Sequence, residues 1–184
     1  LSLLSQTMRE WVWGANQRFD ALAVCSDPTV GRSNDDISTA DVGRVTWHVE
    51  EIQVFLRNPD PKVIFCTYQS SELIQHAQED DSIPTFDLVI CDEAHRCAGN
   101  IDASFATVLH DEKIRARKRL FTTATPRYYG KSITVAGEGR GIQIAGMDDE
   151  AVFGTTLHTL TFGQAIEWDL LTDYQVVVVG LDEP

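Results

Sequence analysis

Apolar residues recur along this chain in two rhythms. Over residues 1–13, Leu3, Leu4, Met8 and Trp11, with Thr7 among them, fall near one side of a helix, a spacing that predicts an amphipathic first element. Residues 22–25, 63–67, 87–91 and 119–123 are instead short, nearly continuous apolar runs, which read as strands. Continuous rather than alternating runs predict a sheet covered on both faces. Helices are predicted between them at 48–56, with Thr46 as its N-cap, and at 70–78. The first stops at Asn58-Pro59-Asp60-Pro61 and the second at an acidic turn over 79–81. Strands alternating with helices at this spacing predict parallel pairing, because parallel strands need long crossovers. Residues 26–41 read as a long polar loop and 113–118 as a basic helix end. Beyond Pro126, glycines at 137–141 predict a hairpin or excursion between two β-prone stretches. A helix over 162–171 and a last strand over 174–179 follow.

Composition narrows the class. The 184 residues suffice for one domain with a sizeable core and are thin for two. The 43% hydrophobic content is ordinary for a globular chain. No apolar run approaches the roughly 18 residues that a membrane helix needs, so no membrane partner is expected. The chain begins at Leu1 without a signal-like segment, which predicts a cytoplasmic piece of a larger protein. Cys25, Cys66, Cys91 and Cys97 form no Cys-x-x-Cys pair; buried reduced thiols are expected in place of a zinc site. The net charge of -13, from 15 basic and 28 acidic residues, opposes nonspecific binding to nucleic acid, which rewards positive charge.

Three strand ends carry the candidate chemistry. The run Leu88-Val89-Ile90-Cys91 leads directly into Asp92-Glu93-Ala94-His95. Ligands of open α/β sheets sit beyond the carboxyl ends of strands, so two adjacent carboxylates stand where a ligand belongs. Adjacent acids repel unless a cation shares them, and Mg with a nucleotide suits hard oxygen ligands. Asp92 is the candidate Mg ligand, through water, and Glu93 the group that orients and deprotonates an attacking water. A solvated strand end capping the next helix is the bland alternative. The second strand end is Leu120-Phe121-Thr122-Thr123-Ala124-Thr125-Pro126, where Thr123 and Thr125 can reach His95. The third is Phe65-Cys66-Thr67-Tyr68-Gln69-Ser70. Its hydroxyls, amide and following helix suit a phosphate backbone, although taken alone it reads as a helix cap by Thr67 or Ser70.

In this order the Thr-Tyr-Gln-Ser, Asp-Glu-Ala-His and Thr-Ala-Thr segments resemble superfamily 2 helicases. Leu3-Leu4-Ser5-Gln6-Thr7 resembles the tail of a preceding nucleic-acid motif. Segments 147–150, 153–154 and 170–174 resemble a subgroup related to the motors of restriction–modification enzymes. The resemblance implies an α/β RecA-like fold: three layers, a mostly parallel sheet, and a first motor domain in partial form over 1–184. Its motif-bearing part would be 1–127, with an excursion, a helix and a final strand over 128–184. It further implies ATP and Mg as cofactors, with Asp92, Glu93 and His95 at the nucleotide. His95, Thr123 and Thr125 would couple, and Gln6, Thr67, Gln69 and Ser70 would face nucleic acid, DNA in preference to RNA. A second RecA-like domain would complete the site.

The departures are specific. A phosphate loop needs Gly-x-x-x-x-Gly-Lys-Ser/Thr, yet Gly130-Lys131-Ser132 has Thr125 where the first glycine belongs. The expected fold is thus truncated, without the phosphate-loop strand. Such a chain is predicted to be inactive alone and, with strand edges left bare, marginally stable. A degenerate RecA-like binding module without ATPase activity is the alternative.

Overall fold

Strand β1 (Asp20–Val24) organises the first of three small sheets among the described residues. It lies between β2 (Arg44–Thr46) and β3 (Lys62–Cys66), parallel to both, with Leu22 opposite Arg44 on one side and Ile64 on the other. The computed structural model describes residues 2–25, 44–101, 103–130, 135, 137 and 139–173, so the polar loop and the final strand expected at 174–179 lie outside the described residues. The chain falls into two units, Leu1–Phe153 and Gly154–Pro184, and each is described by itself.

Alternation along β1 explains why both faces of this sheet are covered. Leu22 and Val24 point into the main core with Ile52 and Leu56 of α2 (Val49–Arg57) and Ile74 and Ala77 of α3 (Ser71–Gln78). Ala21 and Ala23 point the other way, toward Met8 of α1 (Ser2–Gly14) and Phe65. Met8 is fully buried, and Trp11 stands edge-on to Phe65 at 6.0 Å. Of the face predicted over 1–13, Leu4, Met8 and Trp11 meet the sheet, while Thr7 is exposed. Each large side chain so buried contributes about 1.5–3 kcal/mol.

The second sheet pairs β4 (Val89–Cys91) with β6 (Arg119–Phe121), again parallel, with Ile90 opposite Leu120. Cys91 faces the core and Phe121 packs at 5.2 Å against Phe153 of the short helix α4 (Glu150–Phe153). The opposite face behaves differently from the expectation of two covered faces: Leu88 is 50% and Ile90 41% exposed. Among the described residues, β3 and β4 are not hydrogen-bonded to each other, so the parallel strands form two sheets that share one core.

Several local expectations are corrected. Thr46 belongs to β2 and its hydroxyl accepts from the His48 N–H at 3.1 Å, while His48 occupies the cap position of α2. Residues 113–118 are not a helix end: Phe86 bridges Ala116 in parallel and Arg117 N–H donates to the Phe86 carbonyl at 2.8 Å, so this segment leads β6 into register. The stretch before the glycines and part of the glycine-rich run itself lie outside the described residues, while the strand that follows, β7 (Ile144–Ala145), pairs antiparallel with β5 (Gly99–Asn100), a two-residue strand with no apolar signal.

In the second unit, α5 (Phe162–Glu167) starts at Thr161, whose hydroxyl accepts from the Gln164 N–H while Gln164 answers the Thr161 N–H, a reciprocal cap. It is shorter than the predicted 162–171. Asp169 adopts a left-handed backbone (φ 56°), and Leu170 N–H closes on the Ala165 carbonyl at 2.8 Å.

Two polar side chains fasten the second sheet to the rest. Buried Gln78 exchanges two hydrogen bonds with the Arg115 backbone, at 2.8 and 3.3 Å, and also donates to the Pro84 carbonyl. Arg119 donates to the Val108 carbonyl at 2.7 Å, to the Ile114 carbonyl and to Asp111. Its side chain is 12% exposed, whereas the Arg117–Asp87 pair is almost wholly in solvent. Truncating Arg119 strands buried carbonyls, so Arg119→Ala is expected to destabilise by about 2–4 kcal/mol. Arg117→Ala should cost about 0–1 kcal/mol. Urea denaturation of the two variants side by side checks the contrast.

Candidate active site

The parallel ladder between β4 and β6 continues past the strand ends. Thr122 N–H donates to the Cys91 carbonyl and Ala94 N–H to the Thr122 carbonyl, both at 2.9 Å. This places the Asp92–His95 turn alongside Thr122–Thr125. The Thr122 hydroxyl donates to Asp92 Oδ1 at 3.0 Å, and the Glu93 N–H donates to the same oxygen at 3.0 Å. The Asp92 carboxylate is thereby oriented by two donors at one oxygen.

Glu93 has φ 51° and ψ 42°, the left-handed region, and is one of two non-glycine residues there among those described. Holding a glutamate in this conformation costs about 1–3 kcal/mol and persists only where the surroundings enforce it. A short 3-10 turn, Ala94–Arg96, follows. Its His95 Nδ1 lies 2.9 Å from Thr123 Oγ1, 3.2 Å from Thr125 Oγ1 and 3.3 Å from Glu93 Oε2. The two threonine contacts are of hydrogen-bond length, and Glu93 stands beside the same ring nitrogen as an ion-pair partner for a protonated imidazole. Thr125 N–H also donates to Thr123 Oγ1 at 3.1 Å. Asp92, Glu93, His95, Thr123 and Thr125 are therefore brought together. Asp92 and Glu93 are exposed to solvent and His95 is half-buried.

The third strand end meets this group through a residue the sequence reading left without a role. Tyr68, in the 3-10 turn Tyr68–Ser70, donates its hydroxyl to the Asp92 carbonyl at 2.7 Å. The Tyr68 ring lies 6.5 Å from Phe105, over which Arg96 sits at 5.3 Å. Around it, Thr67 donates to Ser70 Oγ at 3.1 Å, Ser70 is buried, and Gln69 is exposed. Neither Thr67 nor Ser70 caps a helix with its side chain. Gln6 lies apart on α1, exposed, with Glu10 Oε1 at 3.5 Å. Thr122 and Tyr68 are the two contacting residues that motif reading passed over. The signal for Thr122 was its place in the first hydroxyl position beyond an apolar strand.

No group of three or more His, Cys, Asp or Glu side chains among the described residues is placed to hold a metal. The donor set here is two carboxylates on a solvent-facing turn. That suits Mg, which keeps several waters and is held by one or two carboxylates plus phosphates, and does not suit zinc.

None of the four cysteines is in a disulfide, and Cys25, Cys91 and Cys97 are buried. Burial pushes Cys91 up to about 12, with Cys97 nearby adding to it, and pushes Cys97 up to about 11 and Cys66 to about 12. Burial foremost, then Cys97 and Cys91, also holds the Tyr68 phenol far above its ordinary value, so it is a neutral donor.

Fold and site together define a superfamily 2 helicase-related motor domain. Residues 2–128 match the family described as "Type III restriction enzyme, res subunit", and the chain belongs to that family. It is 34% identical over 131 residues to a protein of African swine fever virus named as a probable helicase, covering 70% of this chain and 13% of the viral protein. Among solved structures, it is similar to a nuclease-deletion mutant of the Type ISP restriction-modification enzyme LlaGI in complex with a DNA substrate mimic. That likeness has a TM-score of 0.71 and 33% identity, covering 95% of this chain and 13% of that one. The ATP-dependent Type ISP enzyme LlaBIII bound to DNA is also similar, with TM-score 0.55 and 26% identity, covering 95% of this chain and 14% of that one. The chain thus spans about 13% of the length of the relatives it matches. The likeness confirms the RecA-like α/β fold. No helix among the described residues is long and apolar enough to cross a membrane.

The buried thiols have a pH signature. Cys66, Cys91 and Cys97 are each raised from an ordinary value of 9.0, so the fold favours their neutral form. Their contribution to stability is whole below pH 9.0 and is lost as pH rises through about 11 to 12. Thermal melts are expected to fall between pH 8.5 and 10.5, with a smaller fall in Cys91→Ala. At pH 8, a thiol reagent should label the folded chain at least about tenfold more slowly than the urea-unfolded chain.

Proposed function

We propose that this chain is part of an ATP-driven DNA translocase or helicase motor, in which the Asp92–His95 turn hydrolyses ATP and the Thr122–Thr125 segment carries the nucleotide state onward. The observation that carries the reading is the convergence of Asp92, Glu93, His95, Thr123 and Thr125 at two adjacent parallel strand ends, with Glu93 held in a strained backbone. The DNA-bound restriction enzymes that the chain resembles support DNA as the track.

Asp92, oriented by Thr122 and the Glu93 N–H, would hold Mg through water, and Mg would supply charge neutralisation at the phosphates of ATP. Glu93, exposed beside it, is placed to orient a water and take its proton. His95 is the junction: its Nδ1 lies near Glu93 on one side and the two threonines on the other, so a change at the carboxylate would be felt on the segment beyond β6. Gln69 and Thr67 offer amide and hydroxyl groups to a phosphate backbone, and Gln6 a further amide on α1. Ser70 supports the turn from inside. In a chain of net charge -13, such neutral donors are the reasonable means of touching DNA. The grip on the ATP phosphates, and the second motor domain, belong to a longer protein; this chain alone is expected to show no ATP turnover. A degenerate binding module is the less supported reading, because nothing would then maintain a left-handed glutamate beside an oriented aspartate.

In the full-length protein, Glu93→Gln is expected to lower DNA-stimulated ATP turnover by about 100-fold or more, with ATP binding retained. Turnover assays with and without DNA decide the matter. An unaffected variant, or a full-length protein with no DNA-stimulated turnover, would give the lead to the binding module.

A further inference from the structure

We infer that Tyr68 is a positioning residue for Glu93, acting through the peptide group between Asp92 and Glu93; this rests on the motor reading above. The peptide is clamped at both ends. Its carbonyl, from Asp92, accepts the Tyr68 hydroxyl at 2.7 Å, and its N–H, from Glu93, donates to Asp92 Oδ1 at 3.0 Å. The orientation of a peptide plane sets φ of the residue that follows it. Here that residue is Glu93, with φ 51°. A left-handed glutamate needs an external constraint, and the Tyr68 hydroxyl is a constraint on this peptide that comes from a different sheet.

The tyrosine is itself well held. It is half-buried and sits on the turn that closes with Thr67 bonded to Ser70; the Phe105 ring, tilted 40° to it at 6.5 Å, is only a peripheral neighbour. The Tyr68 hydroxyl is aimed at the Asp92 carbonyl at 2.7 Å. Without that hydrogen bond the peptide can rotate, Glu93 can return to an ordinary backbone region, and its carboxylate leaves both His95 and the water it would activate. Tyr68 touches neither Glu93 nor His95 with its side chain among the contacts described. Its effect is geometric, and it should fall on the chemical step and spare nucleotide affinity.

The test is steady-state ATP turnover by the full-length protein at saturating DNA, comparing wild type with Tyr68→Phe, Phe105→Leu and Glu93→Gln. Tyr68→Phe keeps the ring and removes only the hydroxyl. The expected result is a kcat lowered about tenfold with KM for ATP within about twofold of wild type and an unchanged melting temperature. Phe105→Leu, which loosens the ring without touching the Asp92 carbonyl, should keep kcat within about threefold. The inference is overturned by a Tyr68→Phe kcat equal to wild type, by joint changes in kcat, KM and melting temperature, or by an equal loss of kcat in Phe105→Leu. A wild type without turnover, or an active Glu93→Gln, overturns the motor reading itself and the role of Tyr68 with it. The four proteins together distinguish the two failures.

Discussion

The register between β4 and β6 is the constraint on which the site depends. Cys91 sits opposite Phe121, and the ladder runs on through Thr122 and Ala94 beyond the last strand residues. That continuation sets Thr122 beside Asp92 and Thr123 beside His95. Side chains alternate across a strand, so a slip of one residue would present Phe121 or Ala124 where a hydroxyl is needed. Arg119 and Gln78 are the fasteners that keep the register: one ties β6 to the loop that precedes it, the other ties its lead-in to α3.

Much of this was legible in the residues because buried parallel strands announce themselves. The runs ending at Cys66, Cys91 and Phe121 are apolar enough to mark three strand ends, and the polar residues after each stand out against them. What the residues concealed follows from their weak local signals. β2 has three residues, and β5 is a glycine and an asparagine whose only reason to be a strand is the partner β7 brings from a distant part of the chain. The basic segment 113–118 has helix-forming composition, but pairing with Phe86 overrides local preference. Ser70 lies in a motif that suggested exposure, while the turn folds it inward.

In the site, the pattern pointed to carboxylates, histidine and threonines without pointing to how they are oriented. Thr122 and Tyr68 act through contacts made across the fold, Thr122 to a carboxylate on the neighbouring strand and Tyr68 to a backbone carbonyl. A side chain that binds backbone leaves little trace in a motif, since the atom it recognises is common to every residue. The one-sided covering of β4 has a similar origin. Leu88 and Ile90 are apolar because the strand is suited to burial on both faces, and among the described residues only the Cys91 face is covered.

The imidazole of His95 has three oxygen neighbours within 3.3 Å of its Nδ1. It is over-subscribed. Exchanging one acceptor for another costs only the difference between similar hydrogen bonds, far less than breaking one outright. A junction of this kind is locally frustrated and behaves as a selector among nearly degenerate settings. In the proposed motor, a small displacement of either strand end would then be answered by a change of partner, and a graded motion at the carboxylate would become a discrete choice at the threonines.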